Sequence, residues 1–373
     1  MILRQYQHAR HRFRQLCQER GMRLDSVPLP HHRGPDGEVL SVDIAWAGAT
    51  NPRKAFLCTS GMHGLEGPAG SAAQSAWLAQ WDGQLPDNTG LCLVHALNPW
   101  GFAYRARGTE NNVDLNRNFT RFDEPLPVNP YYQHIRDAIR LPSLTPQDLP
   151  KLIETYERLV GELGPAKFSV AVNAGQYEDA EGLAFGGAGI EHGHKAVAEH
   201  VLPALRETQA LHFIDWHTGI GAYGEVAFLP NGKPGTHAYA ACASMWGEAA
   251  ITQWARSATE AAIEADEALT GTNTDKSGQL RHWLGAELGK AKVAGAVIEF
   301  GTERPQDIDK LVLCTLYDRW LRFENRTART AADHRWALDL HADLFVPRDP
   351  AWEDLVLTRG PELMTQALEA LQQ

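Results

Sequence analysis

Five short apolar runs constrain this chain more than any other feature of its sequence: KAFLCTS (54–60), LCLVHAL (91–97), ALHFIDW (210–216), EVAFLP (225–230) and VAGAVIEF (293–300). A strand with one wet face alternates polar and apolar residues, whereas these runs are apolar almost throughout and need cover on both faces. The intervening segments supply that cover, with helices expected over Glu66–Trp81, 195–207, 236–265, 277–288 and 306–324. Ahead of the first run, residues 23–48 alternate around the turn signal RGPDG (33–37), the pattern of a hairpin. The expected fold is α/β, a mixed, mostly parallel central sheet with helices on both faces. Residues 121–168 are polar, helical and punctuated by proline, and read as a helical insertion. Residues 331–373 read as a helical C-terminal extension of one elaborated domain, whose main body is 1–330.

Composition narrows the partners. A formal net charge of −11 works against a general affinity for nucleic acid or an anionic membrane, both polyanions. No apolar stretch approaches the ~20 residues of a membrane span. Five cysteines, at 17, 58, 92, 242 and 314, are odd in number and never form CxxC, so buried reduced thiols are expected. The first twenty residues lack the apolar core of a secretory leader, and Tyr6, Phe13 and Leu16 recur at helical spacing. A soluble, cytoplasmic protein is the expectation.

Four elements, the last of them in two pieces, carry residues able to do chemistry. In SGMHGLEG (60–67), directly after a buried strand, His63 and Glu66 are three apart on a glycine-rich turn that can aim both at one point. Imidazole and carboxylate are zinc ligands, although a surface His beside a helix-start Glu would read the same. In IDWHTG (214–219), His217 ends another apolar run and would reach the same sheet edge. Asp215 shares its strand face and could hydrogen-bond nearby without being a ligand. In VIEFGT (297–302), Glu299 is a carboxylate within an apolar strand, costly unless used or paired. It is either a salt-bridged core residue or a general base. In NPWGFAYRAR (98–107) and NVDLNRNF (112–119), clustered Asn and Arg suit an anionic group, because an arginine fork binds a carboxylate bidentately.

In order and spacing, this set resembles the zinc metallocarboxypeptidases over roughly residues 54–302, and DLNRNF is nearly that family's substrate-binding motif. The short path from Asn98 to Asp114 looks more like the intracellular branch near the aspartoacylase and succinylglutamate desuccinylase group. The segment GQY…GLAFGG (175–187) is similar to that branch too. The resemblance implies a carboxypeptidase-like fold and one zinc ion held by His63, Glu66 and His217. It implies Glu299 as general base, Arg107 (or Arg105) as oxyanion stabiliser, and Asn116 with Arg117 as anchors of a substrate carboxylate. A mobile substrate-contacting tyrosine would fall between the last His and the base, where Tyr223 and Tyr239 lie without a motif to choose between them.

These roles imply hydrolysis of an amide bond in a small molecule or short peptide bearing a free carboxylate. An N-acyl amino acid deacylase of the aspartoacylase type uses the same metal and anchor, so the motifs do not separate the two. A metal-retaining binding protein without turnover would have no need of Glu299. A serine hydrolase lacks its GxSxG elbow here.

Overall fold

The computed structural model describes residues 1–140, 145–253, 278–304 and 331–372. Seven strands form one sheet in the order β1-β2-β4-β3-β5-β7-β6. They are β1 (Arg23–Arg33), β2 (Val39–Gly48), β3 (Lys54–Thr59), β4 (Thr89–His95), β5 (Ala210–Ala222), β6 (Val226–Pro230) and β7 (Lys292–Glu303). The hairpin β1/β2 forms around 33–37 as expected, and β2 pairs with β4 antiparallel. The centre, β4-β3-β5-β7, is parallel, and β6 closes the far edge antiparallel to β7. All five apolar runs are strands, and the mixed α/β class is the observed one.

Their continuous apolarity has the anticipated cause. Phe56, Cys58, Leu91, Leu93, Ile214, Trp216, Ala296 and Ile298 point into one core. Their sequence neighbours Ala55, Leu57, Cys92, Val94, Leu211 and Phe213 enter another on the opposite face. The first face is covered by α1 (Tyr6–Glu19), α2 (Gly67–Gln80) and the C-terminal helix Pro350–Ala370. Gly360 of that last helix lies so close to α2 that an added Cβ would sit 2.7 Å from Ala73 Cβ. Alanine- and glycine-rich α2 thereby packs between sheet and tail.

Between β4 and β5 run α3 (Pro99–Tyr104), α4 (Tyr132–Arg136), α5 (Leu149–Leu163), α6 (Pro165–Asn173), α7 (His192–Ala196) and α8 (Leu202–Leu205). A π turn at Val197–Val201 joins the last two, ahead of Pro203, which has no N–H to give and crowds the preceding turn. The helical insertion contributes Tyr132, Ile135, Ile139 and Phe168 to a further core, joined by Val172 and Leu183 from the chain after it and by Ala337 from the tail. The expected helix 236–265 is interrupted at Gly247 (φ 93°), giving α9 (His237–Trp246) and α10 (Glu248–Gln253). Its remainder, the expected helix 306–324, and Cys314 lie outside the described residues. Then come α11 (Leu280–Glu287), α12 (Ala331–Phe345) and α13 (Pro350–Ala370), the last two being the helical extension. Cys17, Cys58, Cys92 and Cys242 are buried and unpaired, and burial pushes the Cys17, Cys58 and Cys242 thiols up to about 12. Among the described residues, no helix is long and apolar enough to cross a membrane.

Candidate metal centre

The site lies at the carboxyl ends of the parallel strands, where backbone leaves the sheet. After β3 the chain turns through Gly61, in the left-handed region at φ 68°, and enters a 3-10 turn over Gly64–Glu66. Gly64 is packed against the chain at Gly101, where an added Cβ would fall 2.0 Å from its carbonyl carbon. Such approach is open only to glycine, and it presses the His63–Glu66 turn onto α3. The 3-10 turn precedes α2, so Glu66 ends this turn rather than opening the helix.

His63, Glu66 and His217 are all buried, and one ligand atom from each lies within 4.8 Å of the others. Glu66 is central. Its Oε1 lies 2.8 Å from His63 Nδ1, and its Oε2 lies 3.1 Å from His217 Nδ1. The Thr218 N–H donates to Oε2 at 3.0 Å. Burial would raise the Glu66 carboxyl, but the two imidazoles outweigh it and hold the group well below the carboxylate range.

The far side of each imidazole meets an aspartate. His63 Nε2 lies 3.1 Å from Asp114 Oδ1, and His217 Nε2 lies 2.9 Å from Asp215 Oδ2. Asp215 also accepts from Thr59 Oγ1 at 2.6 Å, across the β3/β5 register pair. Burial disfavours a charged His217, but Asp215 and Glu66 together raise its pKa well above the ordinary value. Asp114 is likewise held low, chiefly by Arg107 and then His63, against the effect of burial. Two nitrogens and one carboxylate, with aspartates fixing the outer ring nitrogens, form a donor set suited to a divalent transition metal. This fit rests on donor chemistry and convergence.

Glu299 is in register opposite His217 on β7, is buried, and accepts from the Ile220 N–H at 3.3 Å. Among the described residues it has no cationic partner in an ion pair, unlike a salt-bridged core carboxylate. Burial pushes its carboxyl up to about 8, opposed by the charge of His217. Gly219 keeps the adjacent space open: a Cβ there would sit 3.3 Å from the Phe345 ring and 3.9 Å from Glu299 Oε2.

The two arginines part company. Arg107 turns inward, its Nη1 3.5 Å from Glu66 Oε1 and its Nη2 3.2 Å from Asp114 Oδ2. Arg105 has left-handed backbone (φ 54°) after α3 and turns outward to Asp339 of α12 at 3.0 Å. Asn116 and Arg117 share the 3-10 turn Leu115–Arg117, which Asp114 caps by accepting from Asn116 N at 3.0 Å. Asn116 Oδ1 accepts from Leu280 N at 3.3 Å. Arg117 is turned onto main-chain carbonyls, with Nε and Nη2 reaching Asn173 O and Nη1 reaching Asn116 O.

Asp114 received no role from the sequence, although it begins DLNRNF; its position ahead of a motif rich in polar side chains was the available signal. The tyrosines between His217 and Glu299 are engaged elsewhere. Tyr223 donates to Asp349 at 2.6 Å, and the Tyr239 hydroxyl bonds Thr252 at 2.9 Å. Tyr177, beyond the insertion, instead reaches the Leu115–Arg117 turn, donating to Arg117 O at 2.5 Å.

Fold and site together define an α/β protein with a buried His–Glu–His cluster able to hold a metal ion. The chain belongs to the family DUF2817, described as proteins of unknown function, which it matches over residues 3–359. No curated protein matches it in sequence. Among solved structures it is similar to bovine thrombin-activatable fibrinolysis inhibitor bound to tick carboxypeptidase inhibitor, at 10% identity and TM-score 0.44, over 99% of this chain and 98% of that one. It is also similar to an inferred metallopeptidase from Shewanella amazonensis (13%, TM-score 0.43, 92% and 94%). A third likeness is to a succinylglutamate desuccinylase from Silicibacter sp. TM1040 (13%, TM-score 0.33, 81% and 67%).

Proposed function

We propose that this protein is a zinc-dependent hydrolase that cleaves an amide bond in a small, carboxylate-bearing substrate. The observation carrying this reading is the cluster itself: His63 and His217 turn one ring nitrogen each onto Glu66, while Asp114 and Asp215 occupy the other nitrogens. Zinc held by His63, Glu66 and His217 would supply a Lewis acid able to polarise the scissile carbonyl and to activate water near neutral pH. Glu299 takes the proton of the attacking water and returns it to the leaving amine. Arg107, held against Glu66 and Asp114, presents a fixed positive charge to the developing oxyanion. Asn116 and Arg117 bind the substrate carboxylate and set its register against the cluster.

A C-terminal residue of a short peptide and an N-acyl amino acid both present this combination of amide and carboxylate. The test is purified protein loaded with zinc and offered dipeptides and N-acyl amino acids, with and without chelator. Zinc-dependent release of an amino acid from one panel identifies the substrate class. Zinc binding at one equivalent without turnover on any member would leave a metal-retaining binding protein and overturn the hydrolase.

A further inference from the structure

The anchor turn Leu115–Arg117 is only three residues long, too short to hold its own geometry. Its supports come largely from the end of α6 and the loop after it, just beyond the helical insertion. Arg117 Nε and Nη2 converge on the carbonyl of Asn173 at 3.1 and 2.5 Å. Asn173 is the last residue of α6, where carbonyls lack intrahelical donors and attract a cation. Gly175, at φ 89°, lets the chain pass close enough, since a Cβ there would lie 2.7 Å from Arg117 Cδ. Asn129 fastens the same helix end by donating to Val170, Ala171 and Gly175 carbonyls. Further along, Tyr177 donates to Arg117 O at 2.5 Å, and its ring lies against Gly186, where a Cβ would fall 2.2 Å from Cε1. The loop also fixes the flanks of the turn: Asp114 N donates to Phe185 O at 2.8 Å, and Asn118 Nδ2 to Gly186 and Gly189 carbonyls at 2.9 Å each.

Arginine has five N–H donors, and the bonds to Asn173 and Asn116 use three of them. Among the described residues, one N–H remains on each terminal nitrogen without a partner, the pair that an end-on carboxylate requires. We infer that the end of α6 and the loop after it, residues 173–189, form the specificity-setting element of the site, and that Tyr177 is a positioning residue that holds Arg117 with this edge open to a substrate carboxylate. The inference rests on the anchor role assigned to Arg117 above. Tyr177 touches no substrate in this scheme; it acts through the Arg117 peptide.

The experiment compares 3-phenylpropanoate with its uncharged carboxamide as probes of the zinc-loaded protein, by titration calorimetry. Wild type binds the acid more tightly than the amide. Tyr177→Phe keeps the ring against Gly186 and removes only the hydroxyl. It should weaken acid binding by about 3- to 10-fold, the value of one hydrogen bond, and leave amide binding and zinc content unchanged. In an Arg117→Ala background the same change should have no further effect on the acid. Tyr132→Phe removes a phenol of the insertion, which donates to Asp179 at 2.8 Å; it should lower the melting temperature without altering acid preference. Any unfolded fraction reduces the binding stoichiometry and not the affinity, so a fragile variant still answers. Unchanged acid affinity in Tyr177→Phe overturns the positioning role while leaving the anchor intact. Equal binding of acid and amide by wild type overturns the anchor, and this inference with it.

Discussion

Asp114 backs His63, its Oδ1 3.1 Å from the Nε2 that faces away from Glu66. The same carboxylate meets Arg107 through Oδ2 and caps the turn carrying Asn116. One buried group therefore orients a candidate ligand, a candidate oxyanion donor and the start of the anchor. Asp215 has the simpler duty of holding His217 and accepting from Thr59. Removing the charge at either position leaves its imidazole less basic and less fixed. Asp114→Asn and Asp215→Asn should each weaken zinc binding by about 10- to 100-fold, measured by competition with a chromogenic chelator. Asp114→Asn should also lose more turnover than its zinc deficit explains, because Arg107 loses its ion pair with Asp114; restoration to wild-type rate by excess zinc would refute that.

The arginine pair gives a sharper contrast. Arg107→Ala should lower kcat by about 10²–10³-fold, as loss of an oxyanion donor does, with the fold and zinc content kept. Arg105→Ala removes a partly exposed pair with Asp339, worth at most about 1 kcal/mol of stability, and should leave kcat within about twofold. Rates that fall for Arg105→Ala and not for Arg107→Ala would reverse the assignment.

Acid should destabilise the fold through His95. This ring is buried, stacked on Phe13 at 4.8 Å, and its Nε2 lies 2.9 Å from Ser71 Oγ while Nδ1 has no partner. Burial depresses its pKa to about 4. Between the ordinary value of about 6.5 and that depressed value, the unfolded chain binds the proton and the folded chain does not. Stability is therefore full above pH 6.5 and lost as pH falls, by roughly 1 kcal/mol per unit from this group. Urea denaturation at pH 7, 6 and 5 reads the slope. His95→Phe should flatten it by that amount while lowering the value at pH 7, since Ser71 loses its partner; an unchanged slope would assign the acid sensitivity elsewhere.

The sequence carried the sheet because burial on both faces leaves a continuous apolar trace, as in Cys58 and Leu57 facing opposite cores. It also carried the turn that ends β3, since a glycine-flanked His63 is a local signal, and it carried His217 at the end of an apolar run, although β5 continues past it to Ala222. Asp114 was not legible as a partner of His63, because fifty-odd residues of chain separate them and only the fold closes that gap. The outward turn of Arg105 was equally hidden, since its left-handed backbone and its partner Asp339 follow from packing of the C-terminal extension. The helices of the insertion were legible, but the grip on Arg117 comes from Asn173 just beyond it through a main-chain carbonyl, and a carbonyl has no letter in a sequence.

Glu299 separates catalysis from metal retention. It stands opposite His217 in the β5/β7 register, yet its oxygen accepts from Ile220 N and it is not one of the three convergent ligand groups. Glu299→Gln is nearly isosteric, can keep the Ile220 bond through its amide oxygen, and removes the proton acceptor alone. The expected result is an unchanged melting temperature, zinc at one equivalent, and turnover reduced by about 10²–10⁴-fold. His63→Ala should differ in kind: it deletes a donor, so metal and activity disappear together, and Glu66 and Asp114 lose the imidazole between them. Metal analysis beside the rate measurement distinguishes the cases. Loss of zinc in Glu299→Gln would make Glu299 a fourth ligand. Full specific activity in a destabilised Glu299→Gln would make it a core carboxylate, and the proton would then have to leave by another group.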